Sequence, residues 1–160
     1  MTLATAWKQK LKDETLLKVV SAKAEGGDGE AMWLVGALYE TGMKGRAKDR
    51  AQACAWYERS AAARDPRGMA AFGHYLLEGL GRPQDNVFGM MNVTEAAGLG
   101  SELGAYRLGW AFFEGELGLP KDPARARYWL KKIVDDECEY KHFNNKWMAK
   151  SAEMLRELDA

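Results

Sequence analysis

Apolar and small residues recur along the chain at helical spacing, in three similar stretches. Ala31, Val35 and Tyr39 stand at i, i+4 and i+8; so do Gly68, Phe72 and Leu76, and again Gly104, Leu108 and Phe112. Each stripe carries an inner glycine (Gly36, Gly73, Gly109), and these are 37 and then 36 residues apart. Six residues beyond each comes a second glycine, Gly42, Gly79 or Gly115, placed where a helix C-cap wants left-handed backbone. Loops follow at Met43–Lys48, Leu80–Gln84 and Glu116–Lys121. Asp49, Asp85 and Asp122 then read as N-caps of a second helix, with Pro123 in the favoured first helical position. The pattern therefore predicts a unit of two helices, used three times. A glycine inside a helix costs about 1 kcal/mol relative to alanine, so its recurrence predicts a neighbouring helix that needs the missing side chain.

Other positions keep the same period. Ala24, Ala61 and Ala97 recur, as do Trp56, Asn92 and Trp129, each seven residues beyond its aspartate. The units run Asp28–Arg64, Asp65–Leu99 and Gly100–Asp135. Residues 1–27 read as an N-terminal half-unit, because Thr15–Glu25 carries Val19, Val20 and Ala24 in phase with a second helix. Residues 136–160 read as a C-terminal cap: an acidic connector, Asp135–Glu139, and a helix over Lys141–Leu158 that does not match the repeat. Trp147, Ser151, Met154 and Leu155 form its apolar stripe. Stacked repeats need such caps to cover their end faces. The expectation is one all-α domain, an α/α solenoid of about three helix-pair repeats between capping helices.

Composition narrows the chemistry. The 160 residues carry 23 Lys+Arg against 23 Asp+Glu, which gives no basic footprint for nucleic acid. Two cysteines make no disulfide framework, and two histidines leave little for a metal site. No apolar run approaches the roughly 20 residues of a membrane span, and Met1–Trp7 leads into Lys8, Lys10 and Lys12 rather than a signal-peptide core. The expectation is a cytoplasmic monomer without cofactor, metal, membrane or nucleic acid.

No catalytic constellation stands out. His74 and His142 are far apart in sequence, and neither has a cysteine or paired carboxylate beside it. Cys54 reads as a small buried residue on a second helix. Cys138 lies among acidic residues that raise a thiol pKa. Gly79-Leu80-Gly81-Arg82 and Gly98-Leu99-Gly100 lack the Gly-Lys-Ser/Thr of a phosphate loop and read as interhelical turns. Asp135-Asp136-Glu137 with Glu139 lacks the spacing of a calcium loop and reads as a solvated charge run.

The small-residue-to-Leu/Val-Gly core, the Gly-loop-Asp, Trp56-Tyr57 with Ala61-Ala62, and Trp129 together resemble the Sel-1-like repeat family, relatives of the tetratricopeptide repeats. The resemblance covers about residues 15 to 135. Repeat two departs from it with Asn92-Val93 in place of Trp-Tyr, and repeat three with Ile133-Val134 in place of Ala-Ala. The chain also departs from the subgroup with regular cysteine pairs in each repeat, which are used as disulfides. The resemblance implies that the first helices line a concave groove. By register with the family, its positions are Trp33, Ala37, Glu40, Ala70, His74, Leu77, Tyr106, Trp110 and Phe113, with Arg107 and the carboxylates Glu78 and Glu114 beside them. Leu108 and Phe112 already fill the core face of the third first helix, so Tyr106, Trp110 and Phe113 make a surplus aromatic stripe. A C-terminal helix carrying Trp147 and Met154 is the competing occupant of that stripe.

The function that follows is a non-enzymatic adaptor or scaffold module. Trp33, His74, Tyr106, Arg107, Trp110 and Phe113 are the candidate groove residues for a protein or peptide partner, because aromatics and Arg are the usual interface anchors. The alternatives are an immunity-type inhibitor of a single toxin, a structural spacer and, last, a hydrolase.

Overall fold

The computed structural model describes residues 14–42, 47–141 and 146–160, with side chains from residue 17 onward. The predicted loop residues 43–46, the N-terminal residues 1–13 and His142 lie outside the described residues. Eight helices occupy the described chain: α1 Glu14–Glu25, α2 Gly29–Thr41, α3 Arg50–Ala62, α4 Pro66–Glu78, α5 Asn86–Gly98, α6 Glu102–Glu114, α7 Pro123–Val134 and α8 Lys146–Asp159. No strand is present among the described residues; one isolated bridge joins Ser101 to Tyr140. The fold is all-α.

The recurring aspartates have two jobs. The carboxylates of Asp49, Asp85 and Asp122 accept from the backbone N–H of Gln52, Phe88 and Arg125 at 3.0, 2.9 and 3.0 Å, satisfying a free donor at each second-helix start. Their own backbone N–H groups donate back to Tyr39, Leu76 and Phe112 at 2.9, 3.0 and 2.9 Å, which pins each second helix against its first. The first helices are capped in the same way by Asp28, Asp65 and Ser101. Gly79 and Gly115 take the left-handed backbone expected of a C-cap.

Each helix packs on its neighbours in sequence, and successive first helices also touch: α2 on α4 and α4 on α6. The inner glycines sit at these contacts. A methyl added at Gly36 would stand 2.6 Å from the Tyr57 ring, one at Gly73 2.8 Å from the Gly89 carbonyl, and one at Gly109 3.0 Å from the Leu130 side chain. The packing role that their recurrence predicts is thus present in every repeat.

The core forms two large clusters, one around Phe72, Tyr75, Tyr57 and Trp33, the other around Leu108, Phe112, Leu130 and Ile133. Met69, Ala70, Ala96 and Leu103 lie between the two helix pairs α4–α5 and α6–α7 as a smaller cluster. Between α2, α3 and α4, Glu40 accepts from both the Tyr57 and Tyr75 hydroxyls, at 2.8 and 3.1 Å. Burial and this carboxylate raise both phenol pKa values, so the pair remains protonated donors.

The C-terminal helix completes the stack in a way the sequence does not announce. α8 packs on α7 and, more lightly, on α6, the same two contacts that α6 makes with α5 and α4. It therefore occupies the place of a fourth first helix. The turn out of α7 also begins like the turns between repeats: Asp136 has positive φ, and Glu137 N–H donates to Lys132 O at 2.9 Å, as Ser101 N–H does to Ala96 O.

Candidate functional site

The six residues assigned to the groove have different fates. Trp33 is 2% exposed inside the N-terminal core cluster, with the Arg67 guanidinium 5.0 Å from its ring. It is a core residue and not a surface anchor; α2 buries nearly its whole length, so its inner face is taken up by packing. Tyr106 is 7% exposed because Trp147 of α8 lies on it, ring centroids 4.4 Å apart. This is the competing occupant realised: α8 sits where another first helix belongs and covers that part of the stripe. Arg107 is no free cation at an edge. It is 8% exposed, donates to Glu78 Oε1 at 2.8 Å and lies 5.3 Å from the Trp110 ring.

His74, Trp110 and Phe113 remain half-buried, with part of each reachable from solvent. His74 stands one turn before Glu78 on α4, facing Arg107 and Lys146. Burial, then the positive charge of Arg107, lowers its pKa to about 4; Glu78 pulls the other way, and Lys146 adds to the lowering. The imidazole is therefore neutral at physiological pH, and its Nδ1 is buried with no hydrogen-bond partner, as is Arg107 Nε. α4 and α6 thus bring together His74, Glu78, Arg107 and Trp110. Trp110 and Phe113 rest on the C-terminal core cluster, whereas Trp33 belongs to the other one.

Burial keeps both thiols protonated. Cys54 is 3% exposed on α3, and burial raises its pKa. Cys138 is pushed up to about 11, first by burial and then by Glu102, so desolvation outweighs the acidic neighbours that the sequence pointed to. Among the described residues no group of three or more His, Cys, Asp or Glu is placed to hold a metal ion. No helix among them is long and apolar enough to cross a membrane.

A second concave feature lies away from the first-helix face. A cleft of about 830 Å³ opens between α5 and α7. Val87, Met90 and Met91 line one wall, Trp129 and Arg125 the other, Leu108 and Phe112 the floor, and Leu117 and Leu119 descend from the loop after α6. Val87 is 75% and Met91 61% exposed. Leu117 holds a positive φ of 58°, a strained backbone for a leucine. Sequence reasoning passed over this site, although a signal was present: α5 carries Glu95 as its one charged residue, while α3 carries Arg50, Glu58 and Arg59.

Comparison with known proteins fits this geometry. The Sel1 repeat family model matches residues 29–65, 66–101 and 103–135. A Sel1 repeat protein from Oxalobacter formigenes is similar in structure, with a TM-score of 0.66 and 30% identity over 79% of this chain and 95% of that one. The c5321 protein of uropathogenic Escherichia coli, a protective antigen displaying an SLR fold, shares the fold at TM-score 0.50 and 21% identity. That match covers 98% of this chain, which spans 39% of the antigen's length. No curated protein sequence matches. Sel1 repeats generally mediate protein–protein interaction and are typically non-enzymatic. Three consecutive matches, each a helix pair with its inner glycine at a helix contact, place the chain in the Sel1 repeat family.

Proposed function

We propose that the chain is a non-enzymatic module that binds a protein or peptide segment against its first helices, at the surface made by His74, Glu78, Arg107, Trp110 and Phe113. The observation that carries this reading is Trp110. Its ring is only partly buried on α6, with the buried Arg107 guanidinium 5.3 Å from it, while Leu108 and Phe112 already fill the core face of that helix. Tryptophan and arginine are among the residue types most enriched as interface hot spots, and a cation–π contact joins the two here. The buried Nδ1 of His74 and Nε of Arg107 add unpaired polar atoms beside it. The raised thiol pKa values and the neutral His74 support the non-enzymatic part of the reading. Arg107 is committed to Glu78, so the buried cation of this surface is offset, and binding is expected to depend only weakly on salt.

The test is Trp110→Ala, read twice. A partner captured by the full chain from native lysate is titrated against parent and variant, and both proteins are melted. Affinity is expected to fall by about 2 kcal/mol or more with the melting temperature held within a few degrees. Equal affinity in a variant that melts like the parent removes Trp110 from the interface. Loss of folding assigns Trp110 to the core.

A further inference from the structure

Two gaps separate neighbouring second helices, α3 from α5 and α5 from α7, and they occupy the same place in the repeat. Leu76 lines the first and Phe112 the second, and the loop after each first helix arches over them. The first gap is plugged by its own loop. Arg82 reaches across to Glu58 of α3, Nη1 to Oε1 3.0 Å, and lies 5.5 Å from the Phe72 ring. The loop backbone at Gly81 rests on the Arg50 carbonyl so closely that an added methyl would overlap it. About 300 Å³ is left.

The second gap has lost that plug. Counted back from Asp122 and Asp85, Leu119 stands where Arg82 stands, and Gly118 where Gly81 does. Counted on from Asp85 and Asp49, Thr94 replaces Glu58, and Val87 and Met91 replace Ala51 and Ala55. Gly118 has nothing within 4 Å of an added methyl, so this loop stands off α5 where its counterpart lies on α3. The same register that closes one gap with an ion pair opens the other as a cleft of about 830 Å³.

The charge around this opening is already spent. Arg125 Nε is 3.3 Å from Asp122, and Glu95 is 2.5 Å from Arg64. A charged group seated between Val87, Met91 and Leu119 would lose water against apolar side chains and could regain a partner only by breaking one of these exposed rim pairs, whereas an apolar group gains by burial. The lining runs from Asn86 to Glu95 along α5, which makes a slot about 13–14 Å long. That length suits side chains presented at i, i+3 or i+4, and i+7 along a helix, and Met90 and Met91 are adaptable enough to fit them. We infer that the α5–α7 cleft binds the uncharged apolar face of an amphipathic helix from a protein partner, at a site separate from the first-helix surface.

The test copies the plug from one gap into the other. A phage-displayed library of 14-residue helix-forming peptides, randomised at one face, is panned on the full chain. Recovered peptides are titrated against the parent, the double variant Thr94→Glu/Leu119→Arg, and Trp110→Ala. The expected result is uncharged large residues on the selected face and binding at least tenfold weaker to the double variant, with Trp110→Ala binding as the parent. Circular dichroism shows the double variant folded, and the Met90 and Met91 methyl signals move on titration. Equal binding by the plugged and parent proteins overturns the inference. Peptides lost instead on a Trp110→Ala protein that melts like the parent overturn it too, and support the first-helix surface. Concentration-dependent sedimentation abolished by the double variant would assign the cleft to a second copy of this chain, and the partner helix would be wrong.

Discussion

A methyl placed on Gly104 would stand 2.6 Å from the Ala97 nitrogen and 3.0 Å from the Val93 carbonyl, both backbone atoms that cannot step aside. At Gly98, the exposed last residue of α5, the same methyl meets nothing within 4 Å. Gly104→Ala is therefore expected to destabilise by about 1–3 kcal/mol despite better helix propensity. Gly98→Ala is expected to stabilise by about 0.4–1 kcal/mol through a less disordered unfolded chain. Urea titration of the two variants checks both signs. His74 gives a prediction in pH. Its folded pKa of about 4 lies below the ordinary 6.5, so between those values the unfolded chain takes up a proton that the folded chain refuses. Stability is complete above pH 6.5 and falls as the pH drops toward 4. His74→Gln is expected to flatten that slope, measured as unfolding midpoints between pH 7 and 4.5. The inner glycines were legible in the sequence because only a close contact explains a costly residue at a fixed period. Trp33 and Tyr106 were not. A large aromatic on a first helix has the same sequence signature whether it faces solvent or another helix.

What decided Tyr106 was an element, α8, whose sequence shares nothing with the repeat and yet takes the seat of a repeat helix. Its hold on the stack comes from Trp147 against Tyr106, from Met154 and Ser151 buried in the interface, and from Arg127 reaching Asp159. Trp147→Ala is expected to cost about 2–4 kcal/mol, somewhat below a fully buried tryptophan, and to free the Tyr106 ring. Near-ultraviolet circular dichroism and a melt record both effects; an unchanged melting temperature would mean that α8 is not anchored there. The helix pairs themselves could be read from capping aspartates and closing glycines, since those residues act within a few positions of chain. The seat of α8 depends on shape complementarity with α6 and α7, which no local pattern encodes. The cleft beside α5 is an intermediate case. Nothing in α5 alone marks it, but setting Thr94 against Glu58 and Leu119 against Arg82 shows an ion pair removed from one repeat.

Among the described residues, cohesion passes mainly between helices adjacent in sequence, with lighter contacts that skip one helix to join successive first helices. Tyr140 adds a further tie: its N–H donates to Gly100 O at 3.1 Å, its C=O accepts from Glu102 N–H at 3.0 Å, and the Arg67 guanidinium lies 5.4 Å from its ring. The connector after α7 is thereby sewn to the starts of α4 and α6, and α8 follows from it. This arrangement bears on how such an array can lengthen over evolutionary time. A duplicated unit of 36 or 37 residues can enter between existing repeats, because every junction there is the same helix-on-helix seat. Added after α7, it would meet a seat already taken, and would have to evict α8 and break the Tyr140 stitch. Insertion between repeats is thus favoured over growth after α7, and an insertion that duplicates α5 together with the loop from Glu116 to Lys121 would multiply the open cleft rather than the plugged gap.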